Sequence, residues 1–119
     1  MDSDILAKIQ KENDRLRKRY RNLPEDTLDI LDGLIDRAAF MRVQLADMEM
    51  DILQNGRVEM FSQSDKVDPY EKERPVVKQY TALSRNYQSI SKQLDDKLPK
   101  ADPVDKDDGF DSFVVARED

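Results

Sequence analysis

The sequence predicts an all-α protein: a basic N-terminal helix, a long antiparallel helical hairpin of coiled-coil character, and a disordered acidic C-terminal tail. Three observations carry this. Leu31, Leu34, Ala38, Met41, Leu45, Met48 and Ile52 follow one another at alternating steps of 3 and 4. That is a heptad seam, which strands with their period of two do not produce. Val76, Tyr80, Leu83, Tyr87, Ile90 and Leu94 repeat the same spacing further on. Finally, the chain has only 3 Gly in 119 residues and almost no apolar/polar alternation, which leaves little material for a sheet. The expected division is a basic helix over 1–23, a hairpin core over 24–98 and a tail over 99–119.

The first helix is predicted over 3–22, capped by Asp2 or Ser3. Ile5, Ile9, Leu16, Tyr20 and Leu23 form one apolar stripe, interrupted by polar Glu12 and Asn13. Lys8, Lys11, Arg15, Arg17, Lys18, Arg19 and Arg21 make it strongly basic, densest in the run RLRKRYR. A basic helix carrying an aromatic residue can lie along a phosphate backbone, each neutralised phosphate adding salt-dependent affinity. The alternative is an amphipathic helix whose cations meet the acids of residues 25–36 in a neighbour. Nothing in this segment reads bases.

The second helix is predicted over 24–54, about 30 residues and roughly 46 Å long. Pro24 suits its first turn, Glu25 and Asp26 suit the positive end of its dipole, and Asn55-Gly56 supplies a stop. A second stripe runs beside the seam: Leu28, Ile35, Ala39, Ala46 and Leu53, with Val43 and Met50 at its edge. Arg42 and Glu49 lie between the stripes and are suited to fixing register by pairing across helices. The apolar arc is wider than one partner helix covers. We therefore expect the seam to pack within the chain and the second stripe, with Arg42 and Glu49, to pack on another subunit. Asp29, Asp32 and Asp36 lie on the far side at helical spacing, without the loop geometry of a Ca²⁺ site, and read as a solvated face.

Residues 55–70 read as a connection that Val58, Met60 and Phe61 pin down. The last helix is predicted over 69–98, with Asp68 as N-cap, Pro69 in its first turn and Pro75 as a restart or kink. Two helices of matched length joined by such a connection make an antiparallel hairpin. A lone hairpin leaves the second stripe exposed, and oligomerisation would cover it.

Pro99 and Pro103 end the helical pattern, and five Asp follow between 102 and 111. Phe110, Phe113, Val114 and Val115 then form an apolar cluster within the acidic tail. Such a segment is suited to docking on a partner protein. The alternative is that it folds back onto its own hairpin.

Composition narrows the chemistry. With no Cys and no His, the chain offers no disulfide, no thiolate and no imidazole base, and no Gly-rich phosphate loop appears. We expect a non-enzyme without a cofactor. Mean hydropathy is −0.83. The N-terminus carries acids where a signal peptide carries cations, so a soluble cytoplasmic protein without membrane contact is expected. Charge is uneven. Residues 1–23 carry seven basic and four acidic side chains, a net of +3, whereas residues 24–55 carry two and eight, a net of −6.

Residues 24–99 resemble phage terminase small subunits. The features that carry the resemblance are Asn55-Gly56, Phe61-Ser62-Gln63-Ser64, Pro69-Tyr70-Glu71, Glu73-Arg74-Pro75, Lys78 to Tyr80, and Lys92-Gln93-Leu94 onward to Pro99. The resemblance implies a helical, ring-forming homo-oligomer that binds viral double-stranded DNA and recruits and regulates the large ATPase-nuclease subunit. It further implies DNA contact in the N-terminal helix, oligomerisation in the hairpin and large-subunit contact at the C-terminus. A phage-encoded protein of this kind works in the bacterial host cytoplasm. The chain departs from the family's layout in having no clear helix-turn-helix ahead of the hairpin. The alternative function is a helical adaptor or structural module without nucleic-acid binding.

Overall fold

The structure, a computed structural model, describes residues 3–99. Phe110, Phe113, Val114 and Val115 lie outside the described residues. The described chain is mostly helical, in the order α1 (Ser3–Arg19), α2 (Glu25–Asn55), β1 (Val58–Phe61), β2 (Tyr70–Glu73) and α3 (Pro75–Asp95). Helix α2 is the spine: α1 folds back along its first half, and α3 returns along it after a β-ribbon.

The termini of α1 suit the helix dipole, with Asp4 in the first turn and Arg17, Lys18 and Arg19 in the last. The chain then turns through residues 20–23, where Leu23 N donates to Tyr20 O. Pro24 is extended, with φ −56° and ψ 148°, so the first two helices are separate rather than one rod. Its carbonyl accepts from Leu28 N at 2.9 Å and opens α2. Gly56 closes α2 with φ 85°, its N–H donating to Ile52 O at 2.8 Å. A side chain at that φ would be strained, so a glycine is needed there.

The seam of α2 faces α3 in the predicted antiparallel hairpin. Leu31, Ala38, Met41 and Leu45 are buried on α2, and Val77 and Leu94 on α3. The second stripe corrects the sequence reading. Ile35 and Ala39 have no exposed surface, and both belong with Leu28 to a core shared with Leu16, Tyr20 and Leu23. Their partner is α1 of the same chain, not another subunit. Toward the far end of α2 the stripe opens: Ala46 is exposed, and Leu53 is 79% exposed.

A second difference lies between the long helices. Residues 56–74 form an antiparallel ribbon pairing Val58 with Glu73, Glu59 with Lys72, Met60 with Glu71 and Phe61 with Tyr70. Phe61 and Tyr70 meet edge to face at 5.7 Å, and the Lys72 ammonium sits 4.5 Å from the Phe61 ring centre. Helix α3 therefore starts at Pro75, not at Pro69. The reason is physical: Pro75 is followed at once by apolar Val76 and Val77, whereas residues 70–74 have no seam and place their backbone in the ribbon ladder. Arg74 fastens the root, its guanidinium donating to Gly56 O and to Asp51, each at 2.8 Å.

Candidate functional site

The seven predicted DNA-contact residues fall into two groups. Arg17 turns inward along α2 and bridges Asp32 and Asp36, each at 2.8 Å. Asn13 donates to the same Asp36 at 2.6 Å. Together Asn13, first, and Arg17 hold the Asp36 carboxyl below the usual carboxylate range. Arg19 reaches Asp95 of α3 at 3.2 Å and lies over the Tyr20 ring. Tyr20, nearly fully buried, donates to the same Asp95 at 2.6 Å. Burial, and then this bond to a carboxylate, push its hydroxyl pKa up. Arg17 and Arg19 therefore tie α1 to its own hairpin. For Arg17 this is the pairing with the acids of residues 25–36 that the sequence offered as an alternative, made within the chain; Arg19 instead meets an acid of α3.

The second group faces outward. Residues 8, 11, 15 and 18 are spaced by three, four and three, which places them on one side of α1. Lys8, Lys11, Arg15 and Lys18 are all exposed. Lys8 has a loose pair with Asp4 at 3.7 Å, and Arg15 is held by Glu12 at 2.6 Å. Among the described residues, Lys11, Lys18 and Arg21 form no ion pair. The buried stripe of Ile9, Leu16 and Tyr20 lies on another side of the helix, so the cationic face is presented by an anchored element.

Glu12 organises the junction of α1 with α2. Its side chain is mostly buried, and it meets Arg15 at 2.6 Å and Arg42 at 3.7 Å. The interruption of the first apolar stripe at Glu12 and Asn13 was the signal for these two contacts. Arg42 thus pairs with Glu12 of α1, while Glu49 accepts a hydrogen bond from Tyr80 of α3 at 2.9 Å. Each crosses to a helix of the same chain, and they do so with different partners.

Between α1 and α2 lies a groove of about 360 Å³ lined by Lys8, Lys11, Glu12, Arg15, Arg42, Val43, Ala46 and Asp47. Val43 and Ala46 are its apolar residues, and the other six are charged. A second hollow of about 270 Å³ on the other side of Arg42 and Ala46 is bounded by Leu45, Glu49, Ser84, Tyr87 and Gln88. Among the described residues, no group of three or more His, Cys, Asp or Glu is arranged to hold a metal ion. No helix among them is long and apolar enough to cross a membrane.

Compared with known proteins, the chain matches no family model, no curated protein and no solved structure.

Proposed function

We propose that the chain is a non-catalytic subunit of viral DNA packaging, of the small-terminase kind. Helix α1 meets the phosphates of duplex DNA through Lys8, Lys11, Arg15 and Lys18. Copies associate through the open half of the hairpin, where Met50, Leu53, Val58 and Met60 are exposed. When they are free of their own chain, Phe110, Phe113, Val114 and Val115 engage the large ATPase-nuclease subunit in the cytoplasm of a bacterial host. The observation that carries the DNA reading is the exposed cationic face at 8, 11, 15 and 18, on a helix whose apolar side is locked into the core. Arg17 and Arg19 drop out of the contact set, because α1 commits them to Asp32, Asp36 and Asp95; Arg21 is exposed and stays in it.

The test is binding of a random duplex, read by fluorescence anisotropy across a salt series. Lys8, Lys11 and Lys18 lie outside the core, so their joint replacement by Ala preserves the fold. The expected result is a steep fall of affinity with salt in the parent chain. In the triple variant the slope is shallower by roughly one unit per lysine removed from a phosphate. Equal slopes would overturn the reading.

A second reading, a helical adaptor without nucleic-acid binding, is favoured by the internal pairing of Arg17 and Arg19. It predicts no salt-dependent duplex binding in either protein.

A further inference from the structure

We infer that the groove between α1 and α2 is the docking seat of the chain's own residues 105–115, DKDDGFDSFVV, held in cis. The groove has two properties that an occupant must match. Its apolar lining comes from Val43, Ala46 and the carbon stems of the lysines and arginines around them. Its rim is cationic: Lys8, Lys11, Arg15 and Arg42 outnumber Glu12 and Asp47 by two charges. Glu12 moreover turns to Arg15 and Arg42 and is mostly buried, so little of its charge faces an incoming segment.

The tail has the complementary pair of properties. Residues 99–119 carry three basic and seven acidic side chains, a net of −4, and Phe110 and Phe113 alternate with Asp107, Asp108 and Asp111 over seven residues. Aromatic side chains suit the walls and the aspartates suit the rim. Opposite charge both steers the encounter and fixes its register.

The chain is also long enough. The last turn of α3 lies against the end of α1, where Tyr20 and Arg19 meet Asp95. From Arg19 to Lys11 along α1 is about 12 Å at 1.5 Å per residue. The 11 residues from Pro99 to Phe110 span up to roughly 36 Å. The segment therefore reaches the groove with slack, and the short loop keeps its effective concentration high.

Other surfaces fit less well. The exposed apolar residues of the β-ribbon stand among Glu59, Glu71 and Glu73, which repel an acidic peptide. A hollow of about 530 Å³ beside Arg57, Lys78 and Arg85 is cationic, but its walls are about half polar.

Docking would cover Lys8, Lys11 and Arg15, so the aspartates would occupy the place that phosphates take. That consequence rests on the DNA reading above. The docking itself does not.

Because the chain has no Cys, Ser112→Cys gives one attachment point for a nitroxide label in the full-length protein. Amide signals are then compared between the oxidised and reduced label, without nucleic acid. The expected result is that residues 8–15 and 42–47 lose most of their intensity, while Val58–Phe61 and Tyr70–Glu73 keep theirs. Adding Phe110→Ser with Phe113→Ser restores the lost signals, and so does high salt. A mixture of nitroxide-labelled chains with isotope-labelled, nitroxide-free chains shows no loss. Loss confined to the neighbourhood of Lys78 and Arg85, loss nowhere, or loss in the mixture would overturn the proposal. Because no DNA is present, failure here leaves the phosphate reading standing, and failure of salt-dependent duplex binding leaves the docking standing.

Discussion

The two ends of α2 are built on different principles. At its N-terminal half three helices share one core, in which Leu16, Tyr20, Leu31, Ile35 and Leu94 are almost fully buried. Over its last two turns Met50 and Leu53 stay exposed, beside a ribbon that exposes Val58 and Met60. The same helix, with the same heptad spacing, is a core element at one end and a half-covered surface at the other. The difference is the length of α1, whose 17 residues cover about half of the 31 in α2. Stability is thereby concentrated at the closed end, and apolar surface for further contacts at the open end.

Paired truncations break this comparison most sharply. Ile35→Ala empties space at the centre of the three-helix core and should cost about 2–5 kcal/mol. Leu53→Ala, at a site 79% exposed, should stay within about 0.5 kcal/mol in the monomer. Urea denaturation measured side by side checks both, and equal costs would mean that the open end is as well packed as the closed one. A smaller effect is expected at the bond that joins α1 to α3. Tyr20→Phe keeps the ring in place but removes the donor to Asp95, which should cost about 1 kcal/mol in the same assay.

The smallest effect concerns the polar edge of the closed end. The Asp36 carboxyl is lowered in the fold by Asn13 and Arg17. The unfolded chain therefore binds more protons there, and stability rises with pH through the acid range. The contribution is fully present above the ordinary aspartate value, near 3.9, and is lost as the pH falls through the lower folded value. Melting of Asp36→Asn and of the parent chain between pH 6 and pH 3 should give curves that converge on acidification. Solvent screening keeps the gap small, because Asp36 is half exposed. A constant gap across that range would contradict the assignment.

The long helices were legible because periodicity over many turns is redundant: seven seam residues on α2 say the same thing. The ribbon was not legible, because four residues per strand give barely two alternations. Glu71, Lys72 and Glu73 also have weak strand preference, and Pro69 looks as good a helix start as Pro75. The double stripe signals two packing partners, but the same spacing serves a partner in the chain or in another copy. Turn geometry at residues 20–24 decides that, by sending α1 back along Ile35 and Ala39. On α1 the basic residues were visible, yet their division into inward Arg17 and Arg19 and outward Lys8, Lys11 and Lys18 depends on which acids lie opposite. Here those are Asp32 and Asp36 on a neighbouring helix and Asp95, 76 residues further along the chain than Arg19.

The attachment of the β-ribbon has a mechanical consequence. Gly56 alone would be a swivel, since its backbone is free to adopt many conformations. Arg74 removes that freedom by gripping the Gly56 carbonyl and the Asp51 carboxylate at once, while its own backbone N–H donates to Arg57 O at 2.9 Å. The root of the ribbon is thus fixed to the end of α2 rather than hinged there. Where the ribbon leaves the helices, its direction is therefore set by α2, whose other end is held in the three-helix core.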